Sequence, residues 1–332
     1  MPRTTQRTVT LVDGQKVKLT NDGKAIGLDL TQIPEQHRDQ AVEMIPQYRI
    51  AEAYLHRTLN GRLDYDYFEV AKATKHNILM PGPTGSGKTT AARAWAAARG
   101  VPFCGIEMQG GFDFATVVGS TRAQIVNDLV IPEFVYGELS IAIQMPSVCL
   151  IDEVNFAPPR FTAAFHGTLD ARQSMYIHEL GHRLGKHHEC VLFSAYNDGY
   201  RGIVQLNEAF QNRFAFVLPW DYSPEVEEAL VGSYSPRLLS MVRNMRNEKT
   251  VTTPIGTNVM EEFITIAAEP GGGVEMAGWL FTNRFPEGER ATAHRAVEAN
   301  LVAIAAELSD IAASDGLVSA NRDDDIEEGD ES

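Results

Sequence analysis

Between a short apolar run, Asn77-Ile78-Leu79-Met80, and a helical stretch from Thr89 to Arg99 lies Gly82-Pro83-Thr84-Gly85-Ser86-Gly87-Lys88-Thr89. No other string in the chain limits its fold as strongly. Gly82 lets the backbone leave a strand in a tight turn. Gly85 and Gly87 carry no Cβ, so their surroundings leave room for backbone N–H groups to close on phosphate oxygens. The helix that follows points its N-terminus at the same anion. Lys88 supplies a point charge suited to β- and γ-phosphates, and Thr89 offers a hydroxyl to Mg²⁺. Thr90 is the last residue assigned to the nucleotide. Strand, loop and helix stand in the order that ATP binding requires, and Gly100 is placed to stop the helix.

The rest of the chain alternates accordingly. Apolar runs at Phe103 to Glu107, Val148 to Ile151, Val191 to Tyr196 and Phe214 to Leu218 are expected strands, with helical segments between them, one of them roughly Arg160 to Ala171. Strands alternating with helices argue for a mostly parallel sheet covered on both faces. The expected fold class is α/β: a three-layer P-loop NTPase core with a parallel sheet, followed by an all-α lid. Before the core, Thr8 to Lys18 reads as a hairpin around Asp13-Gly14, and Pro46 to Leu59 and Tyr67 to Thr74 as helices. After Pro219 the strand signal fades, and Pro224 to Val231, Arg237 to Asn247, Asn258 to Ala268 and Glu289 to Ser314 read as helices. This divides the chain into an N-terminal extension (1–45), a nucleotide-binding core (46–222), a helical lid (223–314) and an acidic tail (315–332) expected to be disordered by self-repulsion.

Three further features bear on chemistry. Ser147-Val148-Cys149-Leu150-Ile151 ends in Asp152-Glu153. A carboxylate at that strand tip, Asp152, can hold the Mg²⁺ water shell, and Glu153 is placed to polarise an attacking water as general base. The strand Val191 to Tyr196 ends in Asn197, an amide able to orient that water. Arg213 precedes the next strand, where an arginine can reach a neighbouring subunit's γ-phosphate. Glu153, Asn197 and Arg213 are therefore the candidate catalytic residues.

This ordered set resembles the AAA+ ATPases, and most of all the MoxR-like group with its CbbQ, GvpN and cobaltochelatase relatives. The resemblance is carried by residues 82–89, by Leu150-Ile151-Asp152-Glu153-Val154-Asn155-Phe156-Ala157-Pro158-Pro159, by Ser194-Ala195-Tyr196-Asn197 and by Leu206-Asn207-Glu208-Ala209-Phe210-Gln211-Asn212-Arg213-Phe214. It implies ATP and Mg²⁺ as cofactors, Asn197 as sensor 1 and Arg213 as the arginine finger. It also implies a homo-oligomeric ring, usually a hexamer, that remodels a partner protein. Relatives often act with a von Willebrand-type domain protein, and this chain holds no such domain. Asp113 to Glu138 would carry the helix-2 insert that faces the pore, with Phe112 and Phe114 nearby. The family's sensor 2 arginine has no clear counterpart: Asn258 stands at the matching place, and Arg237 and Arg284 fit the spacing poorly.

One pattern competes. His178-Glu179-Leu180-Gly181-His182-Arg183-Leu184-Gly185-Lys186-His187-His188 fits the metzincin zinc signature through His188. There the two histidines would share a helix face and Glu179 would be the base. The interval between Glu153 and Asn197 has room for a helix, a hairpin and a strand, not for a protease domain. Met175-Tyr176-Ile177 reads as strand. The favoured expectation is a β-hairpin carrying exposed histidines, with a zinc metallopeptidase kept as the alternative.

Composition narrows the remaining classes. Formal net charge is −15, which repels nucleic acid and anionic lipid at long range and counts against a nucleic-acid-translocating ATPase. A small-molecule kinase suits the loop, but Asp152-Glu153, Asn197 and Arg213 suit hydrolysis better. The three cysteines, Cys104, Cys149 and Cys190, are distant in sequence and read as buried small residues. No apolar run is long enough to span a bilayer and no signal peptide is evident, so a cytoplasmic location is expected.

Overall fold

Side chains along Cys190–Tyr196 alternate between two apolar cores. Val191, Phe193 and Ala195 enter one, and Cys190 and Leu192 the other. Ile78 and Met80 likewise oppose Leu79, and Val148 and Leu150 oppose Cys149 and Ile151. Period-two alternation with both faces apolar is the pattern of a parallel strand covered on both sides. In a computed structural model of the chain, which describes residues 7–108, 114–126, 129–157, 159–197, 206 and 208–309, these runs build one sheet. Phe112, Asp113, Pro158, Asn207, the end of the expected last helix (310–314) and the acidic tail lie outside the described residues, as does the side chain of Phe114.

The five strands are β1 (Ile78–Pro81), β2 (Phe103–Glu107), β3 (Ser147–Asp152), β4 (Cys190–Tyr196) and β5 (Phe216–Val217), all parallel, in the order β5-β1-β4-β3-β2. Helices α1 (Asp64–Ala73) and α2 (Lys88–Arg99) supply Phe68, Ala91, Ala92 and Trp95 to one core; α3 (Pro159–Leu169) supplies Phe161, Phe165 and Leu169 to the other. The expected three-layer α/β core is thus present. Gly100 closes α2 at φ +62°, with its N–H on the Ala96 and Ala97 carbonyls. Register pairs Tyr196 with Pro81 and Glu107 with Asp152, so β1, β2, β3 and β4 release their C-termini at one edge.

By its contacts the chain divides into two units. One joins Met1–Pro83 to Gly87–Asp221 and holds the sheet; the other joins Thr84–Ser86 to Tyr222–Ser332. The described helices of the second unit are a short turn at Pro224–Glu227 that continues as a π-helical turn over Glu228–Gly232, then α4 (Pro236–Asn247), α5 (Thr257–Ala268), α6 (Val274–Asn283) and α7 (Glu287–Ser309). Their core includes Leu238, Val242, Phe263, Phe281 and Ile304. The helix α6 has no counterpart in the sequence expectation, because Gly271-Gly272-Gly273 before it and Gly278 within it mask its apolar period.

Other expectations are corrected. The helix expected over Pro46 to Leu59 is confined to Tyr48–Ala53, and Thr58–Leu59 instead pairs antiparallel with Arg62–Leu63. Asn60-Gly61 sits at the turn with φ +47° and +78°. Both left-handed positions suit a two-residue hairpin, so this dipeptide overrides helix propensity. Within the expected insert, Gly119–Val126 and Leu129–Tyr136 form a long antiparallel hairpin where only an insertion was read.

Phe68 packs on Phe193 with ring centroids 4.9 Å apart, on Trp95 at 5.5 Å and on Trp220 at 5.9 Å, and all four are fully buried. Phe68→Ala is expected to cost about 3–5 kcal/mol, read as a fall in the urea midpoint. A loss below about 1 kcal/mol would show that this aromatic cluster relaxes into the cavity.

Candidate functional site

The loop leaves β1 at Gly82, whose N–H is donated to the Tyr196 carbonyl at 3.2 Å. A Cβ at Gly82 would stand 2.1 Å from the Trp220 carbonyl oxygen, so only glycine fits this exit. Gly85 and Gly87 adopt φ +71° and +85°, the left-handed region that side chains with a Cβ resist. Pro83, Thr84 and Ser86 complete the turn, and α2 starts at Lys88. Thr90 lies in its first turn and is exposed.

Lys88 is 5% exposed. Its Nζ donates to the carbonyls of Gly82 at 2.9 Å and Pro83 at 2.8 Å, and to Asn197 Oδ1 at 2.9 Å. Asn197 turns its other half outward along the strand tips, where Nδ2 donates to Glu153 Oε1 at 3.1 Å. The Glu153 N–H donates to Asp152 Oδ1 at 2.9 Å, and Thr89 Oγ1 donates to Asp152 Oδ2 at 2.7 Å. Five residues from three elements therefore form one hydrogen-bonded chain: Thr89, Asp152, Glu153, Asn197, Lys88. Every one of them was singled out in the sequence.

Electrostatics within this chain are uneven. Burial holds the Glu153 carboxyl above its ordinary value, and the carboxylates of Glu107 and Asp152 push it the same way; Asn197 and Lys88 oppose them. Glu107 was not anticipated as part of the site. It ends β2 opposite Asp152, and a carboxylate at the tip of the neighbouring strand was the available signal. Glu153 also sits at φ +52°, ψ +38°, a left-handed conformation that costs an ordinary residue roughly 1–2 kcal/mol. Such strain is concentrated where side-chain aim matters more than stability. Thr89 and Asp152 together offer only hard oxygen donors, the set that suits Mg²⁺ rather than a thiolate-loving metal.

Arg213 does not join the cluster. Its guanidinium donates to the Ala209 carbonyl. Burial lowers the pKa of His166 and hydrogen bonds from Arg172 lower that of Asp170; the nearby Arg213 charge adds to both effects. The Arg213 Nε is buried with no hydrogen-bond partner among the described residues.

Arg57 was missed entirely. It is 6% exposed, stacks 4.1 Å over Trp220 and donates to the Asp221 carbonyl at 2.7 Å. Its Nη2 would be 3.5 Å from a Cβ on Gly87. No local pattern marks an arginine that the fold brings back across this many residues. Of the lid arginines weighed earlier, Arg284 pairs with Glu262, and the Arg237 N–H donates to Glu307.

The histidine motif takes the hairpin form. Ser174–Ile177 pairs antiparallel with His182–Gly185, and Gly181 turns between them at φ +67°. His178 and His182 are exposed and are not one helical turn apart, so the geometry of the zinc signature is not formed. Glu179 accepts from the Thr121 N–H at 2.6 Å and Thr121 Oγ1 at 2.9 Å.

A cavity of about 310 Å³ opens at the opposite edge, where β2, β3 and β4 begin, between Val101, Pro146 and His188. Its cations, Lys72 and Arg99, already face Glu189 and Glu69. It therefore offers no surplus positive charge to a phosphate, and the chemistry stays at the strand tips.

Comparison with known proteins agrees with this geometry. Residues 77–214 match the family model of the AAA domain (dynein-related subfamily). The match runs from the residue before β1 through Phe214, so this part of the chain, less than half of it, is similar to that domain. The chain is 32% identical over 148 residues to the uncharacterized protein YojN of Bacillus subtilis, covering 45% of this chain and 49% of YojN. It is 32% identical over 166 residues to the uncharacterized protein SH1500 of Staphylococcus haemolyticus, covering 48% of this chain and 62% of that protein. The chain thus spans less than two thirds of either relative. The structure of a Thermotoga maritima RuvB mutant is similar over 60% of this chain and 67% of its own at 15% identity and a TM-score of 0.33, too loose a likeness to bear on function. No described helix is long and apolar enough to cross a membrane.

Glu153→Gly is expected to raise stability by about 1 kcal/mol, since glycine accepts the left-handed backbone and removes a crowded carboxylate. Thermal melts of the two proteins check this; a less stable variant would mean that the bond from Asn197 outweighs the strain.

Proposed function

We propose that this chain binds and hydrolyses ATP with Mg²⁺, as a ring-forming AAA+ ATPase of MoxR-like type that remodels a partner protein. The observation that carries the reading is the hydrogen-bonded chain from Thr89 to Lys88. It gathers a hydroxyl, two carboxylates, an amide and an ammonium at the mouth of a glycine loop. Each has a task in phosphoryl transfer to water.

In this reading the loop N–H groups and Lys88 hold the β- and γ-phosphates. Thr89 and Asp152 hold Mg²⁺, which when bound neutralises charge on the phosphate oxygens. Glu153 accepts a proton from the attacking water, and its raised pKa brings it nearer to the range useful to a general base. Asn197 touches both Lys88 and Glu153, so it can report the γ-phosphate to the base. Water adds to the γ-phosphorus, the bond to the β-phosphate oxygen breaks, and ADP and inorganic phosphate leave.

Arg213 supplies the neighbouring subunit's site in this reading. Support comes from its place outside the cluster, where its guanidinium meets the Ala209 carbonyl and none of the five clustered residues. A ring, six subunits by resemblance, would complete each site, and the partner is a protein. The von Willebrand-type domain protein of the relatives is the first to test. A cytoplasmic location accords with these expectations. Neither the zinc metallopeptidase nor the nucleic-acid translocase gains a supporting observation.

Three variants test the scheme together. Lys88→Ala is expected to lose ATP binding, measured by calorimetry. Glu153→Gln should bind ATP yet hydrolyse it at least about 10²-fold more slowly, the scale of a lost general base. Arg213→Ala should keep binding and lose turnover, with activity restored in mixed rings that also contain Glu153→Gln subunits. Unchanged turnover in Arg213→Ala would sink the trans assignment.

A further inference from the structure

Thr84, Gly85 and Ser86 belong by their contacts to the unit that also contains 222–332. Two carbonyls of this tripeptide have fixed donors. The Tyr222 hydroxyl donates to the Thr84 carbonyl at 2.9 Å, and the Thr257 N–H donates to the Gly85 carbonyl at 3.1 Å. A peptide unit is planar and trans, so its N–H points away from its own C=O. Fixing these two carbonyls therefore turns the N–H groups of Gly85 and Ser86 to the other side, together. Successive N–H groups facing one side form an anion-binding concavity, and the left-handed backbone at Gly85 belongs to that pattern.

Both donors are themselves anchored. The Arg246 guanidinium lies 3.7 Å over the Tyr222 ring and donates to the Ile255 carbonyl at 2.9 Å. It also pairs with Glu227 at 2.6 Å, and the Glu227 side chain is 3% exposed. The same carboxylate accepts from Thr257 Oγ1 at 3.3 Å and from Arg243 Nε at 3.3 Å. Asn258 closes the remaining side, its Oδ1 standing 2.3 Å from where a Cβ on Gly85 would lie. A buried carboxylate with two guanidinium partners is a stiff fixture, because losing either partner strands a charge out of water.

We propose that Tyr222 and Thr257, anchored by the Glu227–Arg246 pair, are positioning residues that preset the phosphate loop for an adenine nucleotide. None of the four need touch the nucleotide; they act through the peptide planes of Thr84-Gly85 and Gly85-Ser86. A loop held in its binding geometry loses less freedom when the phosphates arrive, so the effect appears in affinity rather than in the chemical step. The inference rests on the nucleotide reading above.

Two substitutions each remove one hydrogen bond to the loop, and Thr257→Pro also loses the hydroxyl bond to Glu227. Tyr222→Phe keeps the ring beneath Arg246 and deletes only the hydroxyl. Thr257 is the first residue of α5, where proline is tolerated, and Gly256 before it has ψ +161°, which suits a residue preceding proline. Thr257→Pro thus deletes the N–H that reaches Gly85. Thr257→Val keeps that N–H and deletes only the hydroxyl. Arg284→Gln, which breaks the Arg284–Glu262 pair, controls for general loosening of the helical unit.

The whole 332-residue chain with Mg²⁺ is titrated with a fluorescent ATP analogue, and amide exchange at Gly85 and Ser86 is followed without nucleotide. Tyr222→Phe and Thr257→Pro should each weaken binding about fivefold, the value of one net hydrogen bond. Both should speed exchange at the two amides, with turnover at saturating ATP within about twofold of the parent. Thr257→Val should bind more tightly than Thr257→Pro, and Arg284→Gln should match the parent. If Tyr222→Phe and Thr257→Pro bind and exchange as the parent does while Lys88→Ala loses binding, the positioning proposal is wrong. If the parent binds no adenine nucleotide, the nucleotide reading fails instead, and exchange in the free protein still decides whether these residues hold the loop. Should Thr257→Pro not fold, Tyr222→Phe alone decides it.

Discussion

An ammonium group taken almost wholly out of water needs an acceptor for each of its three protons. Lys88 finds two of them in the carbonyls of Gly82 and Pro83 and the third in Asn197. Meeting that demand shapes the site. The loop must curl back over its own lysine, so the glycines are required where the backbone turns. The strand that carries Asn197 must end level with the strand that carries the loop, and the register of Tyr196 with Pro81 provides this. Once Asn197 Oδ1 is committed to the lysine, its Nδ2 is left to donate to Glu153. A local charge requirement thereby orients a carboxylate two strands away from the loop.

That carboxylate is held against two costs. Its backbone is left-handed, and the charges of Glu107 and Asp152 crowd it. Neither serves stability. Both are tolerated because β3 is buried on each face and cannot shift to relieve them. The rigidity of the sheet is thus what permits strain at its edge. The same rigidity keeps Thr89 and Asp152 at hydrogen-bond distance, one on a helix and the other on a strand.

The histidine pattern illustrates how little a string of letters means without its backbone. As a helix, His178 and His182 would share a face. As a hairpin they flank a turn, and Glu179 is used to hold Thr121 of the other hairpin. The choice lies in the flanks. Met175 and Ile177 are buried within the sheet's second core while Tyr176 faces out, a period of two that a helix cannot supply.

The amino-acid sequence alone determined the order of strands and helices in the core, the phosphate loop, and the five residues of the hydrogen-bonded cluster as strand-tip or helix-start groups with chemistry of their own. These are local facts: periodicity, glycine placement and residue type act over a few neighbours. Tertiary structure decided what lies between them. It brought Asn197 onto Lys88, set Glu107 beside Asp152, stacked Arg57 on Trp220 near Gly87, and tied Tyr222 and Thr257 to the loop's carbonyls. The hairpin at Asn60-Gly61 is the local exception, since that dipeptide carries its own turn signal. Most of the others depend on groups far apart in the chain meeting across a packed interior, and no short window of sequence contains both partners.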